Sequence, residues 1–372
     1  MRAMLQGSSI DQILEEQGER YLPLVEHILR RSTPGAALSG NSNGRTRELR
    51  RAIAARNAFL FRELKKVLEA FEKEGIETIL LKGAMMEGIY PAGLRPFCDI
   101  DLLIHRRKLP RAMDVLAGLG YRSRGRGLCH GEEDLYSAVA PVKSGRILTQ
   151  IDLHWLLGPA YSFEGRVNAK GLWQRAREAE IAGLRALVLS PEDALLHSCL
   201  HLFKHRRVDW LASACDIAEL THHYEGELDW QAFLKRVRQL RLALPVGYSL
   251  ERSAALFDLA VPGFVLDAVR SPRSSRLERS LFDSLTSLDD KHGGEQMDAS
   301  ESPLLWLLSV LRAMPNLRYL WNLLVPSREY MLMRYSVGNA RLVSFYYLVR
   351  VKEAFFAALR GLPVLARGAK GG

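Results

Sequence analysis

LLKGAMMEGIYPAGLRPFCDIDLLI, residues 80–104, is the stretch that decides the fold. Near its end, Asp99-Ile100-Asp101 sits inside an apolar run. Successive side chains of a strand point to opposite faces, so residues two apart share one. Asp99 and Asp101 therefore point the same way from a segment otherwise suited to burial. Two carboxylates side by side repel each other unless a cation or a shared proton intervenes. Hard oxygen ligands held this closely suit Mg²⁺, which keeps several waters and is completed by substrate phosphates.

Working outward, QIDLHW at 150–155 supplies Asp152 and, two residues on, His154. If that strand neighbours Asp99–Asp101, three acids from two strands form a platform for two divalent metals. His154 shares the face of Asp152, where it would contact substrate or orient the acid. A bare Asp-x-Asp is more often a strand cap or an ion-pair partner, here for Arg95 or Arg106. The surroundings change that weighting. Lys82-Gly83 follows a strand and opens a helix, so Gly83 lets backbone N–H groups approach a phosphate. Lys82 adds a point charge, and Arg95 a fork suited to phosphate oxygens.

The rest of the chain reads as a mixed unit followed by helices. An apolar stripe predicts a helix over 10–31, a Ser/Gly/Asn-rich linker follows at 32–44, and a long helix spans 46–74 with Gly75 at its C-cap. Short strands are expected at 76–81, 98–104 and, at an edge, 121–124. A hairpin joins 135–142 to 147–155. Helices cover 84–90 and 108–119. Beyond residue 159 the pattern predicts helices at 172–177, 191–205, 210–224, 230–240, 243–256 and 262–269, with a turn at 270–276, a polar loop at 287–302, and further helices at 303–324 and 339–361. The expected organisation is an N-terminal helix and linker (1–45), a catalytic core (46–165) and a helical domain (166–372).

The totals set bounds. The 372 residues carry 52 Lys and Arg against 42 Asp and Glu, a net charge of +10 that favours anionic partners. Cys98, Cys129, Cys199 and Cys215 form no CxxC pair, which argues against a zinc knuckle. The N-terminus has no apolar leader run, and the most apolar segment, 303–326, is interrupted by Arg312, Pro315 and Arg318. No membrane span is expected, and a cytoplasmic location is. His197, His201 and His205 recur every fourth residue, but the Glu of a His-Glu-x-x-His zinc motif is missing. His197 and His201 read as partly buried residues facing the catalytic cleft, His201 as a substrate contact. Phe345, Tyr346 and Tyr347 read as core rather than as a membrane anchor. Basic runs at 45–51 and 122–126 lack aromatic interleaving, so nucleic acid is not an expected partner.

The segments LLKGAMMEGIYPAGLRPFCDIDLLI, LPRAMDVLAGLGY and QIDLHWLL together resemble the uncharacterised nucleotidyltransferase family of bacteria, within the DNA polymerase β-like superfamily. The resemblance is strong over 60–160 and looser through SPEDALLHSCLHLFKHRRVDWLASACDIAEL. It implies an α+β polymerase β-like core with a small mixed sheet, plus a large helical C-terminal region. It also implies transfer of a nucleoside monophosphate from an NTP, ATP first among them, to an acceptor with release of pyrophosphate. Asp99, Asp101 and Asp152 take the catalytic and metal-ligand positions for Mg²⁺, as two ions, with Mn²⁺ a substitute. Lys82, Gly83 and Arg95 take the phosphate side. The acceptor, whether small molecule, sugar, peptide or protein, is left open. Gly83-Ala84 departs from the superfamily's usual Gly-Ser, removing a hydroxyl contact to the triphosphate. A non-catalytic nucleotide- or partner-binding regulatory protein on the same fold is the alternative.

Overall fold

The computed structural model describes residues 18–32, 42–123, 137–145, 147–158, 162–206, 209–270, the helical stretch 343–350 and a few single positions. The chain divides into two units. One comprises Met1–Arg124, Val139–Trp155 and Asn168–Pro272, the other Gly125–Ala138, Leu156–Val167 and Arg273–Gly372.

The first unit opens with a 3-10 turn, Glu19–Tyr21, leading into α1 (Leu22–Ser32), and then the 32-residue α2 (Ser42–Lys73). Leu60, Leu64, Val67 and Phe71 form the buried stripe of α2 at helical spacing. The helix stops where Gly75 takes φ +60°, and the Ile76 N–H donates back to the Phe71 carbonyl at 2.9 Å. Next come β1 (Thr78–Leu80), the one-turn α3 (Lys82–Met86), β2 (Ile100–Ile104) and α4 (Leu109–Gly118). β3 (Ala138–Val139), β4 (Val142–Lys143) and β5 (Thr149–His154) complete the region expected to hold the sheet. Of the edge strand expected at 121–124, the described residues contribute a single bridge, from Arg122 to Val142.

The sheet continues past residue 165. After α5 (Ala169–Arg175), β6 (Arg177–Ile181) and β7 (Leu184–Val188) form an antiparallel hairpin in a region read from sequence as helical. Its two-residue turn has Ala182 at φ +49° and Gly183 at φ +77°, the left-handed pair of a type I′ connection. β7 lies parallel to β1, pairing Ile79 with Leu187. The strand order is β3-β5-β2-β1-β7-β6, with β4 on β5. β1 and β2 are antiparallel, while β2 and β5 are parallel. Ile79, Leu80, Ile100, Leu102, Leu103, Ile151 and Leu153 are fully buried, so the central strands form the core.

The remaining helices are α6 (Pro191–Lys204), α7 (Leu211–His223), α8 (Trp230–Gln239), α9 (Ala243–Ala254) and α10 (Gly263–Arg270). α6 packs on α7, α8 and α9, while α1 packs on α2 and α7. Ser190 caps α6 by accepting the Asp193 N–H at 3.3 Å, with Pro191 in the first turn. Buried Asp193 accepts from Arg175 at 2.7 Å and Arg236 at 3.1 Å, tying α5 and α8 to the start of α6. Among the described residues, no helix is long and apolar enough to cross a membrane.

In the second unit, Gly158 is packed so closely on Glu164 that a Cβ would come within 2.6 Å of its side chain. The helical stretch at 343–350 buries Val343 but exposes Phe345 by 61%, which corrects the expectation that Phe345 belongs to a core. Two residues are about 200° apart around a helix, so Val343 and Phe345 cannot face one neighbour together. The segments at 1–17, 33–41, 271–278, 287–324 and 353–361, including most of the proposed linker and the helix at 303–324, lie outside the described residues, while residues 42–44, expected in the linker, already belong to α2.

Candidate active site

β2 and β5 run parallel with Asp101 directly opposite Asp152. Register partners on neighbouring strands project to the same face, so the pairing that the two motifs suggested separately is realised across the sheet. Asp101 is almost wholly buried and Asp152 half-buried. Oδ1 of Asp101 accepts from Lys82 Nζ at 2.8 Å and from His154 Nε2 at 2.9 Å. Because a carboxylate only accepts, the Nε2 position of His154 carries the hydrogen, leaving buried Nδ1 without a hydrogen-bond partner. Asp152 Oδ1 accepts from Gln150 Nε2 at 2.8 Å.

Lys82 reaches Asp101 from the end of β1, where the Leu81 N–H donates to the Asp101 carbonyl at 3.0 Å. Its φ of +43° lies in the left-handed region, which costs a non-glycine residue about 1–2 kcal/mol. The next residue, Gly83, is explained by packing: a Cβ there would stand 2.5 Å from Phe97 Cβ. Glycine at the turn thus lets α3 lie on the segment that leads into Asp99.

Burial alone would raise the Asp101 carboxyl, but Lys82 and His154 outweigh it and hold the group well below the usual carboxylate range. Burial, then the charges of Asp101 and Asp152, push Asp99 up to about 6, and the charge of Lys82 and a backbone hydrogen bond oppose the rise without outweighing it. Asp152 is also raised, by burial and by Asp101, against the opposing Gln150 hydrogen bond. The three acids therefore differ: one is firmly ionised, and two are held at a cost that a cation would relieve.

The donor set suits a divalent metal. One ligand atom from each of Asp101, Asp152 and His154 lies within 4.8 Å of the others. Asp99, expected as a ligand beside Asp101 and Asp152, stands outside this trio but within electrostatic reach of both acids. Two carboxylates accommodate Mg²⁺ or Mn²⁺, and an imidazole adds affinity for transition metals.

Arg95 is placed differently from the phosphate-binding expectation. Its guanidinium is buried and grips Asp216 on α7 through Nε and Nη2, both at 2.8 Å, while Nη1 donates to the Pro96 carbonyl. Burial opposes its charge, but Asp216 more than restores it, so Arg95 serves as a strut between the 91–97 segment and α7.

The family model described as "Uncharacterised nucleotidyltransferase" matches residues 17–258, more than half of the chain. The chain belongs to this family. It is a nucleotidyltransferase, and its match covers all the acids, Lys82 and α6 to α9. No curated protein matches it. Among solved structures, it is similar to an antigenic nucleotidyltransferase-like protein from Paracoccidioides brasiliensis, with 15% identity, TM-score 0.32, and coverage of 56% of this chain and 91% of that one. It is also similar to the antibiotic-resistance factor ANT(2'')-Ia in solution, with 18% identity, TM-score 0.33, and coverage of 52% and 92%. The crystal structure of ANT(2'')-Ia with adenylyl-2''-tobramycin gives 15% identity, TM-score 0.34, and coverage of 51% and 97%.

The nucleotidyltransferase's histidine row lies beside this site. Burial, followed by the charge of Lys82, depresses His197 and His201 well below the usual imidazole value, and burial chiefly lowers His205 to about 4. His201, expected as a substrate contact, is engaged through Nδ1 with Ser213 Oγ at 2.9 Å. His197 is the more buried, and its Nε2 has no hydrogen-bond partner. Sequence reasoning read His197 and His201 as facing the cleft but named only His201 as a substrate contact. The only signal at His197 was the four-residue spacing to His201.

Proposed function

We propose that this nucleotidyltransferase transfers a nucleoside monophosphate from an NTP, ATP first among them, to an acceptor on a polymerase β-like core that depends on Mg²⁺. The observation that carries the reading is Asp101 opposite Asp152 across β2 and β5, with Lys82 and His154 on Asp101. Divalent cations held by Asp101, Asp152 and Asp99, with His154 at the same cluster, would neutralise the phosphates and the leaving group. Asp152, directly opposite Asp101, accepts the proton of the attacking acceptor group. A bond from that group to the α-phosphorus forms as the α–β phosphoanhydride bond breaks, and pyrophosphate leaves with the electron pair. Lys82, one-fifth exposed, presents positive charge to the phosphates from its post on Asp101. His154 fixes the orientation of Asp101. The acceptor is a small molecule, sugar, peptide or protein.

Incubating the protein with Mg²⁺, cell extract and ATP labelled at either the α- or the γ-phosphate tests this reading. Label should pass to an acceptor from α-labelled ATP and appear in pyrophosphate from γ-labelled ATP. Transfer of γ-label to the acceptor would mean phosphoryl transfer and contradict it.

One observation favours a non-catalytic nucleotide-binding protein as the second reading: Lys82 and His154 already satisfy Asp101 within the protein. Nucleotide binding by calorimetry, with no label transferred to any acceptor, would select that reading.

A further inference from the structure

Helices α1 and α2 and the turn at 91–94 line a cavity of about 730 Å³ that shares no residue with the acidic site. Among the described residues, Arg30, Arg47, Arg50 and Arg51 line it, against a single carboxylate, Glu26. Arg30 is paired with Glu26 at 2.5 Å, and among the described residues Arg50 reaches only the Ala92 carbonyl, at 3.4 Å. Arg47 and Arg51 have no hydrogen-bond or ion-pair partner among the described residues. The hydroxyl of Thr46, in the same wall, is buried and equally unpartnered.

Local geometry builds this concentration of charge. Arg47, Arg50 and Arg51 fall at i, i+3 and i+4 on α2, so they share one side of the helix. The turn is pressed against that side. Gly93, at φ +77°, has no room for a Cβ, which would come within 2.5 Å of the Arg50 carbonyl oxygen. Clustered guanidinium groups repel one another, and an anion removes that repulsion.

We propose that this cavity is a second binding site, for a small, multiply phosphorylated molecule. Guanidinium forks match phosphate oxygens in pairs, and the volume falls within the roughly 300–1,000 Å³ of small-molecule sites. The arginines gather in one concavity rather than along an extended stripe, which favours a compact ligand over a nucleic-acid strand.

Calorimetric titration with inorganic tripolyphosphate in EDTA, at fixed ionic strength, tests the proposal without relying on catalysis. Arg47 and Arg51 are exposed, so the Arg47→Ala/Arg51→Ala variant should keep the wild-type circular dichroism and melting behaviour. Its affinity should fall at least tenfold, while Lys82→Met should bind as the wild type does. Arg47→Lys/Arg51→Lys, which keeps the charge but loses the forks, should bind severalfold more weakly. No binding by the wild type, equal binding by the double Ala variant, or loss in Lys82→Met alone would overturn it. Equal binding by the double Lys variant would indicate general charge attraction and overturn the site as built. Tenfold tighter binding of a short single-stranded RNA would overturn the small-ligand assignment.

Discussion

Asp101 and Asp152 face one another across neighbouring parallel strands, yet only Asp101 is neutralised by the protein itself, through Lys82 and His154. The charge that the protein offsets least is therefore on Asp152 and Asp99, the two acids whose protonation is raised.

This imbalance predicts a trade of stability against activity at Asp99. Its folded-state value of about 6 lies above that of an unfolded chain, so ionising it in the folded protein costs free energy. That cost is absent below the unfolded value, near pH 4, and grows as pH rises through 6. Without metal, Asp99→Asn should therefore be more stable than the wild type by about 1–3 kcal/mol at pH 8. The gap should vanish near pH 4. Thermal melts in EDTA across this range check it, and a constant gap would contradict it.

Arg95 should behave as a strut. Arg95→Met leaves the buried Asp216 carboxylate unpaired and should cost about 3–5 kcal/mol in urea unfolding. Arg95→Met/Asp216→Leu removes both charges and should recover most of that loss. If Arg95 made no phosphate contact, this double variant would keep the KM for ATP; a large rise in KM would restore Arg95 to the phosphate site.

Much of the fold and of the site was legible in the sequence because it lay in local pattern. The apolar run around Asp101 marked one buried strand and that around Asp152 another, although the first begins at Ile100 and leaves Asp99 just outside it. That these strands would be neighbours, and in register at Asp101 and Asp152, is a long-range pairing that alternation does not encode. The partner of Arg95 was hidden for the same reason: Asp216 lies 121 residues away in sequence. The β6–β7 hairpin was hidden because Ala182-Gly183 is a weaker turn signal than Asn-Gly.

That turn offers a stability test. Ala182 is exposed and held at φ +49°, where asparagine is better tolerated. Ala182→Asn should raise stability by about 0.5–1 kcal/mol, seen as a higher melting temperature. A decrease would mean that the turn is not the left-handed pair described.

Gly83 should tolerate no side chain. Gly83→Ala forces a methyl against Phe97 Cβ and should cost about 1–3 kcal/mol. Activity should fall further than stability explains, because Lys82 is displaced with the turn. Chemical denaturation together with turnover at a fixed folded fraction separates the two effects.

The central claim is that Asp101 and Asp152 form one catalytic unit for nucleotidyl transfer. Pyrophosphate release from ATP and Mg²⁺ in the presence of acceptor-containing extract, measured for the wild type, Asp101→Asn and Asp152→Asn, tests it most directly. Each variant should lose roughly a thousandfold in rate while remaining folded by circular dichroism, and the double variant should be no worse than either single one. Folded variants that release pyrophosphate at the wild-type rate would contradict the account.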